Sequence, residues 1–438
     1  MSNKLTRIIS EIPARMRQHV GRTFQSMSDR NFRIYSLGMF VSSCGTWMQS
    51  VALSWLVYRL TGSAAALGIV SFANSLPLLL LTFVGGMAAD RFDKRKLLFV
   101  TNSIAMLQAL ILTILVATDQ ATIGWVIGLS VMLGIVTAFE VPTRQSTVPL
   151  LIQDEKNIHN AIGLASATFH VSRMIGPALA GLAIAQFGEF ICFVLNTVSF
   201  VAALAAIWAV RLRETKPKVS THADTVDTAR SAEPSKSDKV APAPAFWEVF
   251  RSPGVLTLLI LAAFVSTFGM QYSVLMPVIV DKILHGQSEQ FGFLSAAGGM
   301  GSLCGALVIA SLSQKGLRKR LGLAALLLSL SVAALAYSTV FGLSAICIMV
   351  SGACLSMHWS GGNSLMQQCA QPATRGRLMG LYTTFTLGLA PFTAIIAGWT
   401  AEQFGVHTAL LLASGGMLVG ALLYLFISRN LDDTCKGE

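Results

Sequence analysis

Apolar residues run in long blocks along this chain, and polar ones gather into short stretches between them. A block of about 20 apolar residues is the length of helix that crosses a hydrocarbon layer. Twelve such blocks occur, at 34–59, 63–88, 97–117, 122–143, 158–186, 190–210, 253–280, 290–312, 321–339, 341–369, 378–404 and 407–428. The pattern predicts an all-α membrane protein of twelve transmembrane helices.

The longest polar stretch, 211–252, falls in the middle, with six spans on either side. Its Ser/Thr/Ala/Pro/Asp/Lys mixture predicts a disordered linker. The predicted units are therefore a tail (1–33), a six-helix bundle (34–210), the linker (211–252), a second six-helix bundle (253–428) and a short tail (429–438). Within 1–33, Leu5, Ile8, Ile9, Ile12, Met16 and Val20 recur at helical spacing among arginines, the pattern of an amphipathic helix lying on a membrane lipid surface. The halves look related. At an offset of 217 residues, 161–188 lies over 378–405 without a gap and with seven identities, including Ala180-Gly181 over Ala397-Gly398 and Gln186-Phe187-Gly188 over Gln403-Phe404-Gly405. Two six-helix bundles related by a parallel repeat, with a substrate site between them, is a transporter plan.

Composition agrees: 53% of residues are hydrophobic and 12% charged, against about 25% charged in soluble domains. Mean hydropathy is +0.64. The net charge of +11 does not mark a nucleic-acid partner, because of where the charges sit. Of the 32 Lys and Arg, all but Arg59, Arg173 and Lys282 fall in the tails, the linker and the loops on the same side as the tails. This bias puts both termini in the cytoplasm. No signal-peptide core precedes the first span. The seven cysteines form no CxxC pair and no metal-ligand spacing. Metal and cofactor chemistry are not expected, and neither HExxH nor GxSxG occurs.

Between spans 2 and 3 the chain reads Gly86-Met87-Ala88-Ala89-Asp90-Arg91-Phe92-Asp93-Lys94-Arg95-Lys96. Asp90 ends a helix inside a basic run, where it adds nothing to topology. The stretch resembles the Gly-x-x-x-Asp-Arg-x-Gly-Arg-Lys signature of the major facilitator superfamily, departing from it at Asp93, where the family has Gly. Span 5 is similar to the family's antiporter pattern at Gly163, Gly176, Pro177 and Gly181, with Ser172 and Ala180 as other small residues. Small residues there let helices pack closely, and Pro177 is expected to kink the helix. Glu140-Val141-Pro142-Thr143-Arg144-Gln145, Arg375-Gly376-Arg377 and Arg173 resemble the enterobactin-exporter branch. That resemblance implies a monomeric exporter of the bacterial inner membrane. It would move a small amphiphilic molecule, a siderophore or a drug, by alternating access and proton antiport. An inner gate is expected in which Asp90 bridges Arg144, and Arg91 or Arg95 meets Glu140, with Gly86 allowing a close helix approach.

Polar groups inside spans are functional candidates by default. Arg173 lies fifteen residues into span 5, roughly 22 Å deep at 1.5 Å per residue, and shares a helix face with Ser166, His170 and Pro177. A cation at that depth suits an anionic substrate group. Trp47, Gln49, Asn74, Gln271, Tyr272, His358, Trp359 and Asn363 complete the candidate cavity, with Trp47 and Trp359 placed to stack on a flat ligand. No Asp or Glu lies near mid-span, and the sequence assigns a proton to neither His170 nor His358. Two alternatives remain: an importer of a nutrient or lipid on the same fold, and a non-transporting sensor or scaffold.

Overall fold

The computed structural model describes residues 25–213, 252–311, 316–369 and 375–429, and among them every regular element is helical. Most of the tail at 1–33, the linker and the tail at 429–438 lie outside the described residues. In lipid a backbone must satisfy its own hydrogen bonds, which selects helix for every apolar block. The first half contains α1 (Arg30–Thr61), α2 (Ala64–Arg91), α3 (Lys94–Ala117), α4 (Ile123–Thr147), α5 (Ile158–Phe187) and α6 (Phe190–Ala209). In the second half, α7 runs in three pieces, Pro253–Phe268, Gln271–Val274 and Met276–Lys282. Then come α8 (Ser288–Ser311), α9 (Leu317–Tyr337) and α10 (Phe341–Cys369). The run α11 is split into Arg375–Leu387 and Ala390–Phe404, and α12 (Val406–Ser428) ends the bundle.

Two runs expected as single helices are therefore broken. Pro277 stands at the start of the last piece of α7 and Pro391 at the start of the second piece of α11, whereas the first break in α7, after Phe268, falls at Gly269 and Met270 with no proline. A proline has no N–H for the preceding turn, so the helix stops before it and restarts on it. Pro177 does not act this way, because α5 continues through it.

Among the described residues, ten helical runs are long and apolar enough to cross a membrane; α1 and α5 are not among them. Serines, Trp47 and Gln49 dilute α1, and His170 and Arg173 dilute α5. These two helices pack on one another where the halves meet.

Helix pairing repeats between the halves. In the first, α1 packs on α5 and α6, α2 on α4, and α3 on α4 and α6; in the second, α7 packs on α11 and α12, α8 on α10, and α9 on α10 and α12. Between the halves, α5 packs on α8 and α2 on α11, and these two contacts exchange under the same relation. The repeat is visible in detail. Gly188 and Gly405 end α5 and α11 at φ 75° and 82°, a conformation that favours glycine. Gly181 lies against Gly292 of α8, and Gly398 against Gly68 of α2. A Cβ on Gly181 would stand 2.8 Å from the Glu289 carbonyl oxygen, and one on Gly68 would stand 2.5 Å from that of Ala394. Both crossings close only with glycine.

The far face, opposite the end that begins α1, carries polar bonds between the halves. Tyr58 Oη donates to Asp281 Oδ2 at 2.6 Å. Glu402 Oε2 on α11 accepts from the backbone N–H groups of Ala64 and Ala65 at 2.7 and 3.3 Å, and from Ser63 Oγ at 3.1 Å. A carboxylate of one half thus caps the first turn of a helix in the other. Toward the opposite end, α5 leaves Ile162 and Phe169 exposed. Among the described residues, the hydrogen bonds between the halves lie at the far face, which they shut.

Glu402→Gln removes the charge from this exposed cap, worth about 0.3–1 kcal/mol and so about a two- to fivefold shift toward the far-open state. A cysteine at Ser54 should react faster with an impermeant maleimide supplied on the far side; unchanged reactivity would show that Glu402 does not hold the face shut. Gly292→Val should open the same face more strongly, because α5 cannot give way at Gly181, with protein level in the membrane retained.

Candidate functional site

Arg173 occupies the turn of α5 that meets both α1 and α8. Its guanidinium carbon lies 5.3 Å from the centroid of the Trp47 ring and 6.0 Å from that of Trp359, from α1 and α10. Both are within cation–π range. No carboxylate pairs with it among the described residues. A cavity of about 100 Å³ opens beside it, bounded by Trp47, Ser50, Ser54, Tyr272 and Ser295 among others. The break after Phe268 brings Tyr272, 4% exposed, to this cavity. Close backbone packing sets the position of the arginine, since a Cβ on Gly299 of α8 would stand 2.5 Å from the Arg173 carbonyl oxygen.

A larger cavity, about 560 Å³, lies inside the first half, lined by α1 to α6 and, from the second half, by Ser273 and Val274. Trp47, Ser50, Ser54 and Ser273 border both cavities. Phe169, on the wall of the larger cavity, meets Trp47 edge-on at 5.8 Å. Among its lining residues, Glu140 and Arg144 alone are charged.

The structure distributes the other candidates unevenly. Gln49 and Asn74 line the large cavity. Gln49 also stands in a buried amide chain, donating to Gln108 Oε1 at 3.0 Å and accepting from Asn196 Nδ2 at 2.8 Å, which joins α1, α3 and α6. His170 packs on Phe169, and its Nδ1 is buried without a hydrogen-bond partner among the described residues. His358 is 3% exposed, and both ring nitrogens lack partners there. Gln271 turns back to the Thr267 carbonyl at 3.0 Å, and Asn363 is exposed, accepting from Gln367 at 2.6 Å. Neither Gln271, His358 nor Asn363 borders either cavity. Phe169 and the α1 serines were missed by sequence reasoning. Their signal was the spacing of Ser43, Trp47, Ser50 and Ser54 along one side of α1.

The expected inner gate is not formed in this conformation. Arg144 pairs with Glu140 one turn earlier on α4, at 3.5 Å, rather than with Asp90. Arg95 donates to the Ile207 carbonyl at 2.9 Å and to that of Trp208, capping the end of α6. Asp90 and Arg91 are exposed and make no ion pair among the described residues. The physical reason is local competition: Glu140 stands one turn from Arg144 on the same helix, and the carbonyls at the end of α6 stand within reach of Arg95. Gly86 has no neighbour within 4 Å of a Cβ position; the close approach to α4 is made by Gly85, against Ala138. Asp93, standing where the family has Gly, caps α3 by accepting from Lys96 N at 2.7 Å. In the α5 pattern, Ser172 and Ala180 are fully buried. Gly176 abuts the backbone of α1 at Cys44, the Pro177 carbonyl faces Gly292, and Gly181 meets α8. Gly163 faces open space, so it packs against no helix here.

Residues 22–434 match the family model described as transmembrane secretion effector. The chain is 25% identical to the staphyloferrin A transporter of Staphylococcus aureus, over 90% of this chain and 95% of that one. It is also 25% identical to the multidrug efflux pump Tap of Mycolicibacterium fortuitum, over 89% and 93%. Among solved structures, the nucleoside transporter NupG superposes with a TM-score of 0.68 at 13% identity, over 91% of this chain and 99% of that one, which speaks for the fold. A multi-pass helical bundle built on a parallel repeat and matched over nearly its whole length by transporters is a transporter rather than an enzyme, and the chain belongs to the transmembrane secretion effector family of the major facilitator superfamily.

Proposed function

We propose that this protein exports a small anionic molecule of the siderophore type across the bacterial cytoplasmic membrane by alternating access, driven by proton antiport, with Arg173 as the substrate's counter-charge. The observation that carries the reading is a guanidinium between two indole faces, with no carboxylate partner among the described residues, beside a cavity where the halves meet. An arginine at mid-membrane costs about 2.5–3.5 kcal/mol on insertion scales. A carboxylate or catecholate would offset that, and the flanking rings suit a flat group beside it. Positive-inside bias supports a cytoplasmic position for the end that begins α1, and with the far face shut the cavities would then accept substrate from within. The staphyloferrin A transporter supports the substrate class. Multidrug efflux is the second reading, favoured by equal identity to Tap.

Two measurements test this reading. Reporter fusions at Gln120, Gly188 and Gly286 should report the outside, and those at Ser220 and Glu438 the inside; an outside signal at Ser220 overturns the orientation. In everted vesicles, wild type should take up staphyloferrin A when a proton gradient is imposed. Arg173→Gln should lose uptake at matched protein level. Arg173→Lys, which keeps the charge without the planar fork, should retain part of it. Uptake of ethidium instead, unaffected by Arg173→Gln, would favour the drug reading.

A further inference from the structure

We propose that Arg173 and Tyr272 together hold one carboxylate group, so that the substrate's buried anion is a carboxylate rather than a catecholate or a phosphate, and Tyr272 is the residue that completes its recognition. The proposal rests on the Arg173 reading and extends it from a charge to a functional group.

Three observations carry it. The first is that two donors face one small cavity with their hydrogen bonds unmade. The Arg173 guanidinium carries five N–H groups and no acceptor, and among the described residues it makes no hydrogen bond or ion pair, only its contacts with the two indole faces. Tyr272 is 4% exposed, and its hydroxyl has no hydrogen-bond partner among the described residues either. Buried donors left in this state are costly. Both side chains border the cavity of about 100 Å³, so an acceptor placed there serves both. The second is origin. Arg173 stands on α5 of the first half, and Tyr272 on the middle piece of α7, Gln271–Val274, of the second. The acceptor therefore needs one oxygen for each side, which a carboxylate supplies. A bound carboxylate would span the seam between the halves.

The third observation is charge. Among the residues bordering this cavity, Arg173 alone is charged. One fixed positive charge balances one negative charge. A phosphate monoester carries about −1.5 to −2 at pH 7, and its excess would lie between indole rings without a partner. A catechol becomes anionic only by losing a proton. Phenols titrate near pH 10, so about one molecule in a thousand is ionised at pH 7, whereas a carboxyl group titrates near pH 4 and is ionised throughout. The proton cost therefore falls on the catechol and not on the carboxylate. Serine hydroxyls on the same wall, from Ser50, Ser54 and Ser295, donate as well as accept and fit any of the three anions. Selection comes from the single charge and from the Tyr272 hydroxyl, which donates to the oxygen that faces the second half.

The experiment titrates three probes that share one ring, benzoate, catechol and phenylphosphonate, against the purified full chain by saturation-transfer NMR. At pH 7 benzoate should bind about tenfold or more tighter than the other two. Its affinity should stay level from about pH 6 to 8.5, while that of catechol rises with pH as the phenol ionises. Catechol or phenylphosphonate binding as tightly as benzoate at pH 7, or no benzoate binding to the wild type, overturns the carboxylate. Tyr272→Phe keeps the ring and loses only the hydroxyl. It should weaken benzoate about tenfold and narrow its advantage over catechol, with the melting temperature unchanged. Unchanged benzoate affinity, or equal weakening of all three probes, overturns the role of Tyr272. Benzoate bound by Arg173→Gln as by wild type overturns the Arg173 reading itself. A wild type that prefers catechol, with that binding lost in Arg173→Gln, keeps Arg173 as the counter-charge and overturns only the carboxylate.

Discussion

The two halves of this transporter meet through glycine, and most of the remaining geometry depends on that contact. At Gly181 against Gly292, and at Gly398 against Gly68, neither partner has room for a Cβ. Backbone-to-backbone approach of this kind leaves no side chain to flex, so each crossing is either seated or parted. Van der Waals contact and the loss of lipid between helices hold it. With both crossings seated, Tyr58 reaches Asp281 and Glu402 reaches the first turn of α2. These bonds follow from the closure rather than impose it, because Glu402 is exposed and its bonds are correspondingly weak.

Symmetry of packing is not matched by symmetry of chemistry. The helix pairs of one half recur in the other, yet the large cavity belongs almost entirely to the first half. The second half supplies instead the broken helices. Breaks in α7 and α11 leave short pieces against α1 and α2, whereas α1 and α5 run without interruption. One half is thus built to hold polar groups on straight helices stiffened by the Gln108–Gln49–Asn196 amide chain. The other is built to bend beside it.

Much of this was legible in the sequence, for identifiable reasons. Spans were readable because a bilayer imposes one length on every apolar block. The repeat was readable at Gly181 and Gly398, and at Gly188 and Gly405, because those positions admit no side chain or require positive φ. Arg173 was legible as a candidate because a cation at mid-span is costly, and the structure sets it beside a cavity and between two indole rings. The breaks in α7 and α11 were not legible, since Pro277 and Pro391 look no different in sequence from Pro177, which α5 accommodates. The amide chain was hidden because its members are 59 and 147 residues apart, and only the fold brings them together. The partners of the inner-gate groups were not legible because Arg95 is taken by carbonyls of α6, more than a hundred residues away in the chain, and Arg144 by Glu140 on its own helix.

Helix α5 ties these strands into one device. Within nine residues it presents the Arg173 carbonyl to Gly299, Gly176 to the Trp47 and Cys44 turn of α1, and Gly181 to Gly292. The same turn that carries the cation therefore carries the seam. A charge at mid-membrane is neutral to the fold only when its surroundings are fixed, and here the fixing groups come from both halves: Trp47 from one, Trp359 and Tyr272 from the other. Parting the seam at Gly181 separates α5 from α8 and so draws Arg173 away from the second half's contribution. On the proposed reading, occupancy at the guanidinium and closure of the far face would then be two readouts of one helix position, the coupling that alternating access requires.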